Sequence, residues 1–354
     1  MPSTQRRLLR RVALVPLAVL VALLLAELAL RVWTAVANPQ IYALDDELGW
    51  RHARGIDRWL DDPNGRRVRF ATDERGLRVA PHAATRGPST RRVLVAGDSF
   101  TQGSQVEADE VFTTRLERVL GDAEVWNAGV GGYSTLQELR ALGPQMRDLR
   151  PDLVVLVVFE NDFQDNLMSY YSFLGPRPHV RVRGSEVVVV DQPDTRPFER
   201  CLLPVPGALW WYEHSALYRS LHKNLFLPQR STALDLEERR ERATLSLADQ
   251  RTAMRWLLAR VTETVRAADA ELLLVAMPER ESVEAGAAPS HEWLAGEAAA
   301  LRVPFVSLLA PLVAATPGRA YFAAEDDIHL TAVGHECVAA ALREPVAAAL
   351  RRGG

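Results

Sequence analysis

Four short polar groups in this 354-residue chain have the residue types for nucleophilic and general-base chemistry. The first is Ser99, which follows the apolar run Val93–Ala96 through Gly97-Asp98. A serine placed directly after a buried strand presents its hydroxyl at the rim of a sheet, where the N–H groups of the next turn converge. Alone it is more readily a helix cap than a nucleophile. The second is "NAGVGGYST", residues 127–135, whose Gly129, Gly131 and Gly132 either let backbone approach a ligand closely or simply make a tight turn. The spacing is not that of a dinucleotide loop, and no acid follows another strand at the required distance. The third is Asn161-Asp162, where an amide can donate to a developing oxyanion or cap the next segment. The fourth is "EDDIHLTAVGH", residues 325–335. Asp326 and His329 are three apart, so the carboxylate can accept from imidazole Nδ1–H and leave Nε2 free as a base. Asp327 is the neighbouring alternative, but the spacing favours Asp326. A metal site built from Asp326, His329 and His335 lacks a third imidazole or an HExxH motif.

These groups need strands to position them. From residue 91 apolar runs alternate with amphipathic ones. "RRVLVAG", "AEVWNAG", "PDLVVLVVF", "ELLLVAM" and "VPFVSLL" are expected strands. The third is apolar throughout its last seven residues, as a central strand buried on both faces is. Between them, "DEVFTTRLERVLG" places Phe112, Leu116, Val119 and Leu120 on one helical face and ends at Gly121. "STLQELRALGPQMRDL" is a second helix, and a later one carries Met254, Leu257, Leu258, Val261 and Val265 at helical spacing. The tail is a closing helix or pair of helices broken near Pro345. Repeated βα units predict a parallel sheet with helices on both faces and ligands at the carboxyl ends of the strands, where Ser99, Gly132 and Asn161 fall.

The four groups, in this order, resemble the blocks of the SGNH/GDSL hydrolase family. Gly97-Asp98-Ser99-Phe100 is similar to the first, with Ser99 as nucleophile. Gly132 is similar to the second-block glycine whose N–H helps form the oxyanion hole, Asn161 to the third-block asparagine, and Asp326-Asp327-Ile328-His329 to the final DxxH. The resemblance covers roughly residues 91–350. It implies a flavodoxin-like three-layer α/β/α sandwich around a five-stranded parallel sheet. It also implies a Ser99–His329–Asp326 triad and an oxyanion hole from Ser99, Gly132 and Asn161, with no cofactor. The family's third block commonly has glycine where Phe159 stands. The α/β-hydrolase fold is the less apt alternative, because its elbow is G-x-S-x-G and position 101 is Thr.

The N-terminus carries a different signal. Residues 12–26 are continuously apolar, and the run resumes after Glu27 before Arg31. Residues 12–30 as a helix span about 28 Å, close to a bilayer's hydrocarbon core. Glu27 and Arg31 are four apart and can pair near the interface. Arg6, Arg7, Arg10 and Arg11 precede the run, which predicts a cytoplasmic N-terminus and an extracytoplasmic remainder. A cleaved signal ending at Ala35-Val36-Ala37, with or without the twin-arginine character of the paired arginines, is the alternative to a retained anchor. A buried soluble helix is the least apt reading. The expected organisation is a basic tail at 1–11, an anchor at 12–33, a connecting region at 34–90 and a hydrolase-like domain at 91–354. That domain carries an insertion at about 163–247.

The connecting region holds a turn at "DDPNG" and a hairpin expected over "RRVRFATDERGLRV". The insertion holds a hairpin at "HVRVRGSEVVVVD" and a solvated helix at "LDLEERRERA". Its aromatic segment contains Trp210, Trp211 and Tyr212, which either stack on sugars or pack internally. Such insertions shape substrate access. A net charge of −3 gives no general case for nucleic acid. Cys201 and Cys337 are the only cysteines; they either pair outside the cytosol or lie apart as buried thiols.

The expected activity is hydrolysis of acyl esters on a small molecule, lipid or acylated glycan. The alternatives are O-acyl transfer or deacetylation on an envelope polysaccharide, and a non-catalytic envelope protein that binds glycan or lipid.

Overall fold

The computed structural model describes residues 2–37, 41–79, 90–171, 174–191, 202–222, 238–315, 320–321 and 328–352. The chain divides into two units, residues 1–40 with 195–239 and residues 41–194 with 240–354.

The larger unit is built on a parallel sheet. Its strands are β5 (Arg91–Ala96), β6 (Ala123–Asn127), β7 (Leu153–Phe159), β12 (Glu271–Met277) and β13 (Phe305–Ser307), in the spatial order β13-β12-β7-β5-β6. In order of first appearance this is 2-1-3-4-5, the flavodoxin-like arrangement. Central β7 is buried at every residue, as its unbroken apolar run requires. Side chains alternate across the sheet. Val93, Val155, Val157, Leu273 and Val275 pack on one face with Val338, Leu342 and Val346 of the closing helix Ala332–Leu350. Leu94, Val154, Leu156, Val158, Leu272 and Leu274 pack on the other with Met254, Leu258, Val261 and Val265 of the helix Leu247–Arg266. Two apolar layers, one on each face, make the three-layer sandwich expected from the βα pattern.

Most of the predicted helices form where periodicity placed them. The exceptions have physical reasons. In α3 (Phe112–Leu120, following the long α1, Pro2–Ala37, and the short α2, Ser99–Gln102), Val119 is exposed, because Phe112, Thr113 and Leu116 complete the buried stripe without it. Helix α4 (Thr135–Leu149) and the closing helix run through Pro144 and Pro345 without ending. At Pro345 the tertiary contacts of Leu342, Val346, Ala349 and Leu350 hold the helix across the lost hydrogen bond. The closing segment is therefore one helix, not two.

Ahead of the sheet stand two hairpins, β1 (Tyr42–Asp45) with β2 (Gly49–His52) and β3 (Asp57–Asp61) with β4 (Arg67–Ala71). The second turns at "DDPNG", one arm earlier than expected; among the described residues the later arm forms no strand and makes two isolated bridges, Arg78 to Thr72 and Arg78 to Asn127. Downstream come β8 (Tyr170–Tyr171), β9 (Gly175–Pro176) and the expected hairpin of β10 (His179–Arg183) and β11 (Glu186–Val190). The last turns on Gly184-Ser185, with Gly184 at φ 63°.

The smaller unit contains α1 and two short helices, Ala208–His214 and Ala216–Leu221. Within α1, Leu14–Thr34 is 21 residues long and apolar enough to cross a membrane or to serve as a signal sequence. Glu27 and Arg31 pair at 2.7 Å, as their spacing suggested. Trp210 and Trp211 are exposed, whereas Tyr212 packs with Leu202 and Tyr218. Cys337 is half-buried against the main core, and Cys201 lies outside the described residues.

Candidate active site

Strand β5 ends at Ala96, and the chain turns through Gly97 and Asp98 into α2, whose first residue is Ser99. The buried Asp98 is the N-cap, its carboxyl accepting from Phe100 N–H at 2.9 Å. Ser99 is thereby relieved of the capping role that its position allowed, and its side chain points elsewhere. Ser99 Oγ and His329 Nε2 are 2.8 Å apart across 230 residues of sequence. His329 is half-buried and lies two residues before Thr331, the N-cap of the closing helix, in a segment pinned by the bridge between Tyr321 and Leu330. Its ring packs at 5.2 Å on Phe100, which in turn packs at 4.1 Å on Phe159. Phe159 thus stands behind Phe100 and supports it against the imidazole. Asp326 and Asp327 lie outside the described residues.

The loop after β6 passes immediately behind α2. A Cβ on Gly129 would strike the backbone of Thr101 and Gln102, which explains a glycine there. Gly132 sits at φ 74°, in the left-handed region, and any side chain would meet Trp50, Tyr171 and Leu174. The loop is held from three sides. Gln102 Oε1 accepts from Gly131 N–H and from Tyr42 O–H. Trp50 Nε1–H donates to Gly131 O at 3.0 Å, and Tyr133 O–H donates to Trp50 O at 2.7 Å. Asn127 donates to Thr101 O and Thr113 Oγ1 and accepts from Gly129 N–H. Buried Arg78 donates to the carbonyls of Gln102, Gly103 and Val106 and closes the end of α2. Residues 41–79 therefore buttress the loops on which the candidate residues stand.

Asn161 begins the turn after β7, at the N-cap of the short helix α5 (Asp162–Asp165). Its Nδ2 donates to Asp165 Oδ2 at 3.2 Å. Asp165 also faces Arg242 Nη1 at 2.6 Å and Arg177 Nη2 at 3.3 Å. Arg177 is fully buried, donates to Gly132 O at 3.0 Å and Met168 O at 3.2 Å, and stacks over Tyr171. One guanidinium thus ties the carbonyl of Gly132 to the carboxylate that orients Asn161. Neither Arg177 nor Asp165 stands out in the sequence, because Arg177 comes from the insertion and has no local pattern around it. Asp165 is equally inconspicuous, one more polar residue in the run Glu160-Asn161-Asp162-Phe163-Gln164-Asp165-Asn166.

Burial pushes the Asp98 carboxyl up to about 7; Glu138 and Asp162, also buried, are raised well above the ordinary range, Glu138 by desolvation and the charge of Asp98, Asp162 by desolvation and the charges of Glu138, Asp98 and Asp165. These groups hold protons in the folded state that they release on unfolding above pH 3.8. The unfolded state then binds fewer protons, so stability falls as pH rises from there through about 7. Asp98→Asn is expected to flatten the urea-unfolding free energy across this window by up to ~1.4 kcal/mol per pH unit, one proton's worth. An unchanged slope in that variant would show Asp98 ionised in the fold.

His335, by contrast, is a core residue: it is buried, stacks on Phe112 at 5.9 Å and accepts from Phe112 N–H at 3.4 Å. Burial lowers its imidazole to about 3. It belongs to the core beneath the site.

No family model matches the sequence, and no curated protein matches it. Solved structures do align. A member of the lipolytic G-D-S-L family from Veillonella parvula aligns at 13% identity and TM-score 0.41, over 72% of this chain and 97% of that one. A GDSL-like lipase from Bacteroides thetaiotaomicron aligns at 15% identity and TM-score 0.38, over 75% and 93%. An acetylxylan esterase from Geobacillus stearothermophilus, as a catalytic mutant, aligns at 15% identity and TM-score 0.37, over 73% and 96%. At such identities the chemistry of this chain has to be read from its own side chains.

Proposed function

We propose that this chain is an SGNH/GDSL-type serine hydrolase that cleaves acyl esters. The observation that carries the reading is the 2.8 Å contact of Ser99 Oγ with His329 Nε2 at the carboxyl end of β5, beside the switch point between β5 and β7. A serine at that distance from an imidazole can pass its proton to Nε2 while Oγ attacks an acyl carbon. The carbonyl oxygen becomes an oxyanion, for which Ser99 N–H, Gly132 N–H and the second Asn161 amide proton are the donors. Each such donor is typically worth ~10²–10³ in kcat. Collapse breaks the ester C–O bond, and His329 gives its proton to the leaving alkoxide. Water then attacks the acyl-serine with His329 again as base, releasing the acid and restoring Ser99. Asp326 is assigned to stabilise the imidazolium from the Nδ1 side, on its spacing from His329.

The proposed location of this chemistry is outside the cytoplasm, with α1 as a retained anchor. The arginines ahead of Leu14–Thr34 support that orientation. The expected test result is covalent labelling of Ser99 by a fluorophosphonate, together with hydrolysis of aryl esters over some range of acyl chain length. Acetylated polysaccharide assayed beside the aryl esters, with and without a sugar acceptor, distinguishes water from a hydroxyl as the final acceptor. Folded protein that takes up no probe would overturn the hydrolase and leave the non-catalytic binding role.

A further inference from the structure

The smaller unit contains an attachment that ester hydrolysis does not require. Glu27 lies inside the apolar stretch of α1, where a carboxylate is expensive unless partnered. It accepts four hydrogen bonds: from Arg31 Nε at 2.7 Å, Ser215 Oγ at 2.8 Å, Ala216 N–H at 2.9 Å and Leu217 N–H at 2.8 Å. Arg31 Nη2 in turn donates to His214 O at 2.7 Å. The two charges thus straddle the junction between the helices Ala208–His214 and Ala216–Leu221. The cation meets the carbonyl end of the first and the anion meets the amide end of the second, each the favourable pairing with the helix dipole.

That junction is fixed in depth along α1. Over the span of about 28 Å made by residues 12–30, which Arg31 closes, Glu27 lies three residues, about 4.5 Å, before the end. That puts the attachment at the edge of the hydrocarbon core, against the interfacial zone, rather than at the bilayer centre. Trp210 lies four residues before the anchored His214 carbonyl, within about 6 Å along the helix. Trp210 and Trp211 are 53% and 44% exposed, while Tyr212 on the same helix turns inward onto Leu202 and Tyr218. On α1, Leu28, Val32 and Trp33 are likewise exposed at this level. Tryptophans concentrated at headgroup depth are what the membrane interface selects, because an indole offers an apolar body and a polar N–H.

We infer that the helix Ala208–His214 is an interfacial membrane element, clamped to α1 through Glu27 and Arg31, with Trp210 and Trp211 seated in the lipid headgroup region. This rests on α1 being a retained anchor, and not on the chemistry at Ser99. It gives the intramembrane carboxylate a role: it holds a second, peripheral contact at a set depth, so that the membrane grips the unit at two places.

The test is tryptophan fluorescence of the full chain reconstituted into phosphatidylcholine vesicles. The emission of Trp210 and Trp211 is obtained as the difference between wild type and a Trp210→Phe/Trp211→Phe variant. Expected is loss of most of that difference emission with lipid brominated near the headgroup, less with lipid brominated near the acyl terminus, and little with aqueous acrylamide. In a Glu27→Ala background the same difference should pass from lipid quenching to acrylamide quenching. Difference emission quenched by acrylamide alone in wild type overturns the inference. Emission shielded from both quenchers also overturns it, in favour of a protein surface over the tryptophans. Vesicle flotation is scored first. A chain that fails to float after alkaline extraction refutes the anchor and the inference together, whereas one that floats without lipid quenching refutes the inference alone.

Discussion

Ser99→Ala and His329→Ala are each expected to lower kcat/KM for aryl esters by on the order of 10⁴–10⁶-fold, and the double variant to be no worse than either single one. The non-additivity follows from the geometry. Oγ and Nε2 share one proton at 2.8 Å, so removing either partner ends the same step. What remains in all three variants is binding and the oxyanion donors, which supply a common residual rate. The fold should survive Ser99→Ala, because Asp98, not Ser99, caps α2 and the hydroxyl's one bond to His329 is worth only about 1 kcal/mol. His329→Ala leaves a space against Phe100, which Phe159 still supports, so the cost there is local. Steady-state rates beside urea midpoints check both statements. Near-wild-type turnover in either single variant, or a double variant far slower than both, would sink the assignment of this pair.

What made Ser99 legible was its position, not its type. An apolar run ending in Gly-Asp-Ser can be placed on a sheet rim because strand periodicity and burial are local properties. The same holds for β7, whose apolar residues leave no face for water, and for the helix with Met254 to Val265. The candidate His329 was legible because a short polar block with Asp and His is unusual ahead of an alanine-rich helix. The rest depended on contacts between distant segments. Phe159 became intelligible only once its ring was seen behind Phe100. Pro345 misled because a proline argues against a helix on local grounds, while Leu342, Val346 and Leu350 hold it from the sheet side. Arg177 was invisible for the same reason. Its partners come from two segments, Gly132 O from the loop after β6 and Asp165 and Met168 O from the stretch after β7, and no spacing around Arg177 points to them.

Arg177 carries the second large expectation. Arg177→Met should lower kcat by about 10²-fold, the order of one lost oxyanion donor, with KM changed little. The guanidinium touches neither Ser99 nor His329, so it is a positioning residue. It fixes the carbonyl of Gly132, and so the left-handed conformation of the residue whose own N–H is the donor, and it neutralises the carboxylate that turns the Asn161 amide. Loosening both donors weakens a bond made to the transition state more than one made to the ester. Stability should fall as well, by about 3 kcal/mol, since Asp165 is left buried with Arg242 as its remaining cation. A purely structural role would lower the amount of folded enzyme but not its turnover per labelled site, so kcat is normalised to fluorophosphonate-reactive Ser99. Affinity for a trifluoromethyl ketone, which forms the tetrahedral adduct, should drop in step with kcat while substrate KM holds. Arg177→Lys should not restore either, because an ammonium cannot span Gly132 O and Asp165 at once. Asp165→Asn, which keeps the shape and removes the charge, should couple strongly with Arg177→Met in a double-mutant cycle. If Arg177→Met instead turns over normally per reactive serine and binds the ketone as wild type does, the arginine serves only the packing of the insertion, and the alignment of Gly132 with Asn161 must come from the β6 loop alone.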